Sequence, residues 1–358
     1  MTAEEIFRGR LVMAPMTRGT DLPFRRLAGE WGARVCVGEM AYAHKIVRGE
    51  GSELALLRRH PTEKIFGVQL AGKKPELMAE AARIAEDKGA DFVDINLGCP
   101  IDDATKRGFG AALLRRKSRV AAIVRAMKAA VSVPVTIKLR LGWSSEKPTF
   151  LEIARVAEDA GVDSVALHPR SRAQRYRRPA DWTRVGELVQ SLSVPVIGNG
   201  DILTWQDAER RMRETGCAAV MAGRWALAKP WIFREFAERR DRLPGPDERL
   251  AVVRRYVELC REHFGDDERG RRRTRRFLVF HQDFFRRYRR RAGLGAVNSD
   301  DPRDWGEPPA NELEAWLCRA DTAAAEALCS WLVEGAAPEL PPPVDANAPR
   351  AVKVAAYG

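Results

Sequence analysis

"IFGVQLAGKKPELMAEAARIAEDKGADFVDINLGCP" (residues 65–100) carries the pattern that decides the fold. Residues 65–70 form an apolar run, as a strand covered on both faces should. Pro75 then opens a helical period, which Gly89 closes. A second apolar run follows at 92–96. Strand, helix, strand in one direction is the parallel β/α unit.

The unit recurs along the chain. Further strand candidates lie at 11–15, 35–40, 135–140, 164–169, 195–200 and 218–223. Helical patterns lie between them, as at 150–162 and 204–217. Eight units predict a closed (β/α)₈ TIM barrel, with a doubly wound open sheet as the alternative. After residue 243 the strand signals stop. "RLPGPDERL" (242–250) reads as a linker with a turn. The chain then reads as helical from 248 to about 334. The expected organisation is a barrel over 1–243, a smaller all-helical domain over 244–334 and a Pro/Ala-rich tail over 335–358.

The 358 residues carry a net charge of +12. That balance suits a polyanionic partner, or solubility alone. Six cysteines are scattered without CxxC or Cys/His spacing, so neither a metal site nor a disulfide framework is expected, and a reducing cytoplasm fits. "MTAEEIFRGRLVMAPM" lacks the apolar segment of a signal peptide, and no run is long enough for a membrane span.

In such a barrel the active site forms at the carboxyl ends of the strands. Those ends carry Met16, Glu39, Gln69, Asn96 with Cys99, Lys138 with Arg140, His168 with Arg170, Asn199 with Asp201, and Gly223 with Arg224. A single polar strand end means little; eight in succession predict one functional mouth. "GNGD" (198–201) and "AGR" (222–224) suit a phosphate, because glycines let backbone N–H groups approach an anion; such turns are also ordinary. No GxGxxG fingerprint follows the first strand, which argues against a Rossmann dinucleotide site. Lys138 lies within "VTIKLR", where burial without an anion is costly. It either reaches solvent or sets its charge against an electron-rich ring edge, such as that of a flavin. His168 has the same two readings, or hydrogen-bonds a base.

These residues match a family pattern. "APM" (14–16), "FGVQL" (66–70), "DINLGCP" (94–100), "GFGAALL" (108–114), "KLR" (138–140), "HPRSRAQRY" (168–176), "GNGDI" (198–202) and "AGR" (222–224) resemble the tRNA-dihydrouridine synthases in order and spacing. "LPFRR" (22–26), "GEMA" (38–41), "ALLRRHPTEKIFGVQL" (55–70), "GCPID" (98–102), "KPWIF" (229–233) and "RRTRRFL" (272–278) resemble the eukaryotic type-three branch, which modifies a variable-loop uridine. The resemblance implies an FMN barrel followed by a helical tRNA-recognition domain, with NADPH as reductant and the C5–C6 bond of uracil as target. It implies that Ala14, Pro15 and Met16 line the flavin and that Gln69 contacts its ring. Lys138 and His168 contact flavin or uracil, and Asn96 positions the base. Asn199, Gly200, Asp201, Gly223 and Arg224 hold the phosphate.

Cys99 becomes the implied proton donor to C5, opposite a hydride arriving at C6 from flavin N5. A free thiol is mostly protonated at neutral pH and acts as an acid. The plain alternative is a small buried apolar residue. Gly108 and Gly110 would let the loop move over the extruded base. Arg140 at its strand end, Arg170 in the basic stretch 170–178, and Arg275 and Arg276 in the basic stretch 271–291 are candidates for RNA contact. In the second stretch Phe277, Phe280, Phe284 and Tyr288 recur at helical spacing, as a buried stripe does. Arg272, Arg275, Arg276, Arg286, Arg287 and Arg290 fall largely off that stripe. The chain is expected to act as a monomer.

Three departures stand out. Pro169 replaces a more usual glycine between His168 and Arg170, Arg18 occupies a position where small residues are common, and the Cys/His fingers of the type-three enzymes are absent from this sequence. The same chemistry on ribosomal RNA, a small-molecule FMN oxidoreductase and a non-catalytic RNA-binding barrel are the alternatives.

Overall fold

The computed structural model describes residues 1–288 and 309–336. Nine strands form one sheet: β1 (Arg10–Met13), β2 (Val35–Val37), β3 (Ala41–Tyr42), β4 (Ile65–Ala71), β5 (Phe92–Leu97), β6 (Val135–Arg140), β7 (Ser164–His168), β8 (Val196–Asn199) and β9 (Ala219–Ala222). Every pairing is parallel. β1 joins both β2 and β9, and a β2–β4 pairing closes the ring of eight. The predicted barrel is therefore the observed one, within a few residues at each strand. The exception is β3, which pairs with the upper end of β4 at Leu70 and Ala71. Two residues are too few to show a period.

Polar residues can gather at one end of this barrel because apolar ones fill the other. The helix Ala3–Phe7 joins a buried cluster with Val12, Val35, Ile65, Phe92, Ala166, Ile197 and Ala219. Phe7 meets Phe92 edge-on at 5.1 Å. Gly67 makes room for that ring: a Cβ there would stand 2.2 Å from Phe92 Cζ. A second apolar cluster, including Phe66, Val68, Leu70 and Met78, lies between the strands and the surrounding helices.

All described elements after β9 are helical. The expected linker is shorter than its sequence suggests. Pro246 is already the first residue of a 19-residue helix, Pro246–Phe264, with Gly245 before it and Glu248 accepting the Gly245 N–H. Proline suits a first helical position because its missing N–H would be unsatisfied there anyway. The next helix is Glu268–Phe285. Its predicted aromatic stripe is buried at Phe280 and Phe284, while Tyr288 is buried beyond the end of the helix. Phe277 is half-buried, stacked on Phe264 at 5.4 Å. These helices share the apolar cluster that surrounds the barrel. Asp21 pins the junction: its carboxylate accepts from Tyr256 Oη at 3.2 Å and lies 3.0 Å from His281 Nε2. Residues 337–358 of the expected tail, and Arg290, lie outside the described residues.

Candidate active site

One cavity opens at the carboxyl ends of the strands. Ala14, Pro15 and Met16 after β1, Gln69 on β4, and Asn96 and Cys99 at the end of β5 line it. So do Lys138 and Arg140 on β6, His168 and Arg170 at β7, Asn199, Gly200 and Asp201 at β8, and Gly223 and Arg224 after β9. Register brings them together, since β5 and β6 align Asn96 with Lys138, and β4 and β5 align Gln69 with Asp94. Glu39 is the strand-end residue left out. It is buried behind the β1 loop, where it accepts the Arg18 N–H at 2.5 Å, and burial pushes its carboxyl up to about 7. This contact holds Arg18 at φ 62.

The cavity floor is a directional chain of hydrogen bonds. Asp94 accepts from Thr136 Oγ1 and Gln69 Nε2, both at 2.7 Å. Gln69 Oε1 accepts from Asn96 Nδ2 at 2.7 Å. Asn96 Oδ1 then accepts the Cys99 N–H at 2.8 Å and the Gly98 N–H at 3.2 Å. Gln69 and Asn96 each keep one further amide N–H. Cys99 is half-buried, and burial pushes its thiol up, which keeps its proton on. A Cβ on Gly110 would stand 2.8 Å from the Cys99 carbonyl oxygen, and Gly110 has φ 57. Close approach and left-handed backbone therefore require that glycine, independently of any loop motion.

Lys138 and His168 face the same space in different charge states. The Lys138 ammonium has no hydrogen-bond acceptor among the described residues, and burial lowers it to about 8, with Arg140 adding to the effect and Asp94 opposing it. His168 is held well below its ordinary value by burial, then by Arg140, Lys138 and Arg170. It is neutral at pH 7. Arg170 Nη1 lies 3.0 Å from His168 Nε2. A guanidinium only donates, so Nε2 accepts and the imidazole proton sits on Nδ1.

Two residues predicted to contact substrate have partners within the chain. Arg170 is no free substrate arm. It is buried, with Nη2 at 2.8 and 2.6 Å from the two Asp201 oxygens and Nε donating to the Arg178 carbonyl. Asp201 is thereby the acceptor that braces Arg170, and it also receives the Ala180 N–H at 2.7 Å. Arg275 is likewise engaged, with Glu326 and with Glu334 at 2.6 Å. Arg140 lines the cavity, yet it donates to the carbonyls of Gly98, Ser171 and Arg175. Arg276 is exposed. Across Pro169, the Arg170 N–H turns back to the His168 carbonyl at 2.7 Å.

Sequence reading missed Asp94, Thr136 and Tyr176. Asp94 stands inside the quoted "DINLGCP", but only the strand register shows it beneath Gln69. Tyr176 lies at the mouth, with the Arg224 and Arg140 guanidinium carbons 4.3 and 5.3 Å from its ring centre.

The dihydrouridine synthase (Dus) family model matches residues 12–299. This chain belongs to the dihydrouridine synthase family. A human protein named as a tRNA-dihydrouridine(47) synthase-like protein is 44% identical over 283 residues, 78% of this chain and 43% of its own length. A Malassezia globosa protein named as a tRNA-dihydrouridine(47) synthase is 39% identical over 327 residues, 85% of this chain and 42% of its own. The chain thus spans less than half the length of these relatives. Among solved structures, histamine dehydrogenase from a Rhizobium species aligns at TM-score 0.52 and 15% identity, over 70% of this chain and 49% of that one. A 2-naphthoyl-CoA reductase aligns at 0.53 and 14%, over 65% and 50%. At such identity the likeness is one of fold. Among the described residues no three His, Cys, Asp or Glu side chains cluster as metal ligands, and no helix is long and apolar enough to cross a membrane.

Proposed function

We propose that this protein reduces the C5–C6 double bond of a uridine in tRNA to dihydrouridine, with FMN in the barrel cavity and NADPH as reductant. The observation that carries the reading is the meeting of a protonated thiol, Cys99, an unpartnered ammonium, Lys138, and a neutral imidazole, His168, on one cavity. Family membership and the names of the relatives support it.

The residues present fit a flavin mononucleotide. Lys138 needs an acceptor that the described chain does not offer, and a ring carbonyl is one. Gln69 has one amide N–H to spare for the same edge. Ala14, Pro15 and Met16 give an apolar wall. Gly200, at φ 122, brings bare backbone to the end of β8, where a Cβ would crowd Ala180 and His168. With Asn199, Gly223 and Arg224 it makes the cradle for the phosphate. When bound, the reduced flavin supplies the hydride for uracil C6.

The rest falls to side chains. Asn96 offers its spare N–H to a uracil carbonyl. Cys99 holds a proton at Sγ and delivers it to C5 as a general acid. The target base leaves its stack to reach the cavity, and Tyr176 and Arg140 frame its entrance. The helices from residue 244 onward serve RNA recognition. Arg269, Arg272, Arg273 and Arg276 follow helical spacing on Glu268–Phe285 and are exposed, and no carboxylate among the described residues pairs with them. These four, rather than Arg275, are the phosphate contacts.

Positional mapping of dihydrouridine by mass spectrometry, in cells with and without the gene, tests the reading. A uridine lost from tRNA is the expected result. Loss confined to ribosomal RNA would change the substrate, and no loss in either would overturn the assignment. Cys99→Ala should retain FMN while turnover falls by about 10²–10⁴, the usual contribution of a general acid. Near-normal turnover would remove Cys99 from that role.

A further inference from the structure

We propose that Asp94 is a positioning residue: as an acceptor-only carboxylate it sets the direction of the Gln69–Asn96 amide chain and so fixes the backbone that presents Cys99. The inference rests on the reading of Cys99 as proton donor.

An amide side chain has a donor end and an acceptor end, and its orientation is decided by its neighbours. Asp94 sits on β5 between Gln69 of β4 and Thr136 of β6, in register with both, and is buried. It accepts from each at 2.7 Å. The Gln69 NH₂ group must therefore face Asp94, leaving its oxygen for Asn96. The Asn96 NH₂ group must face Gln69, leaving its oxygen for the N–H groups of Gly98 and Cys99. Reversing Gln69 alone would set its NH₂ against the Asn96 NH₂, and reversing Asn96 with it would set the Asn96 NH₂ against the Cys99 N–H, donor against donor in either case. The buried carboxylate at the start of the chain excludes that state. It needs no contact with substrate to do so.

The test exchanges charges along the chain. In Asp94→Asn the new NH₂ must face either Gln69, which reverses the chain, or Thr136, whose hydroxyl must then turn from donor to acceptor and leaves its own proton without that partner. In Asp94→Asn with Gln69→Glu, every group is satisfied again in the original direction. The new amide at position 94 would donate to position 69 and accept from Thr136, and Asn96 would still donate to position 69.

The readout is the alkylation rate of the Cys99 peptide by iodoacetamide, followed by mass spectrometry without added flavin. Cys318, half-buried in the helical region, is the internal control. We expect Cys99 to react about ten-fold faster in Asp94→Asn, the scale of one unsatisfied buried polar group. The double exchange should return it to within about three-fold of the parent, with Cys318 unchanged throughout. Asp94→Asn at the parent rate, or a double exchange no slower than Asp94→Asn, overturns the proposal. So does equal acceleration at Cys318, which reports general loosening. If Asp94→Asn does not fold, the double exchange must fold; failure of both overturns it. FMN affinity is measured separately on the parent chain. Absence of FMN binding there would sink the functional reading, while the alkylation pattern still decides the role of Asp94.

Discussion

At the scale of the residue, the site separates charge states that water would level. Burial keeps the proton on Cys99, keeps His168 neutral and lowers the Lys138 ammonium to about 8. A buried cation is disfavoured, so a lowered pKa is the expected direction. The sign then fixes a pH dependence. The charged Lys138 is present below about 8 and is lost as pH rises through it. FMN affinity should fall across that range, read by quenching of flavin fluorescence between about pH 6.5 and about pH 9.5. Lys138→Met should bind more weakly and lose the dependence. An unchanged pH profile in that variant would assign the titration to another group. Arg170 gives the opposite lesson. Its strand end alone makes it a substrate arm, but its nearest acceptors are Asp201 and the Arg178 carbonyl within the chain.

At the scale of the element, the β5 end shows why a motif has the residues it has. Asn96 caps the turn by accepting the Gly98 and Cys99 N–H groups. Gly110 then closes over Cys99 at a distance that no side chain tolerates. Gly110→Ala combines that clash with a left-handed backbone, whose strain alone costs about 1–2 kcal/mol. A melting midpoint lower by several degrees is expected, with turnover reduced and FMN retained. An unshifted melting curve would mean that the loop yields freely. Gly67 has a similar part at the barrel floor, where its missing Cβ admits Phe92. Neither glycine announces its reason in sequence, because each answers to a residue brought close by the fold.

At the scale of the whole molecule, barrel and helices meet through Asp21. It caps the helix Leu22–Glu30 through the Phe24 N–H at 3.1 Å and accepts from Tyr256 of the helical region. Tyr256→Phe removes one buried hydrogen bond and should cost about 1–2 kcal/mol in chemical denaturation. Asp21→Ala removes the cap as well and should cost more. Equal stability of both variants and the parent would show that apolar contact alone holds the junction. The arginine face makes an independent prediction. Gln at Arg269, Arg272, Arg273 and Arg276 together should weaken tRNA binding and flatten its salt dependence. The log–log slope should fall by about 0.7–0.9 for each phosphate no longer neutralised. Thermal stability should not change. An unchanged slope would place the RNA on another surface.

The sequence alone determined the barrel, because eight apolar runs separated by amphipathic helices admit few other arrangements. It also determined which strand-end residues gather around one cavity, since the carboxyl-end rule turns position along a strand into position in space. Tertiary structure alone decided which of those residues are engaged within the chain. Asp94 beneath Gln69, Asp201 against Arg170, and Glu326 and Glu334 on Arg275 are all pairings between distant segments. A period marks the face of a strand that a residue occupies. It carries no information about which acceptor another strand or helix will bring within about 3 Å, and that distance decides whether a charge is free for a ligand or already engaged.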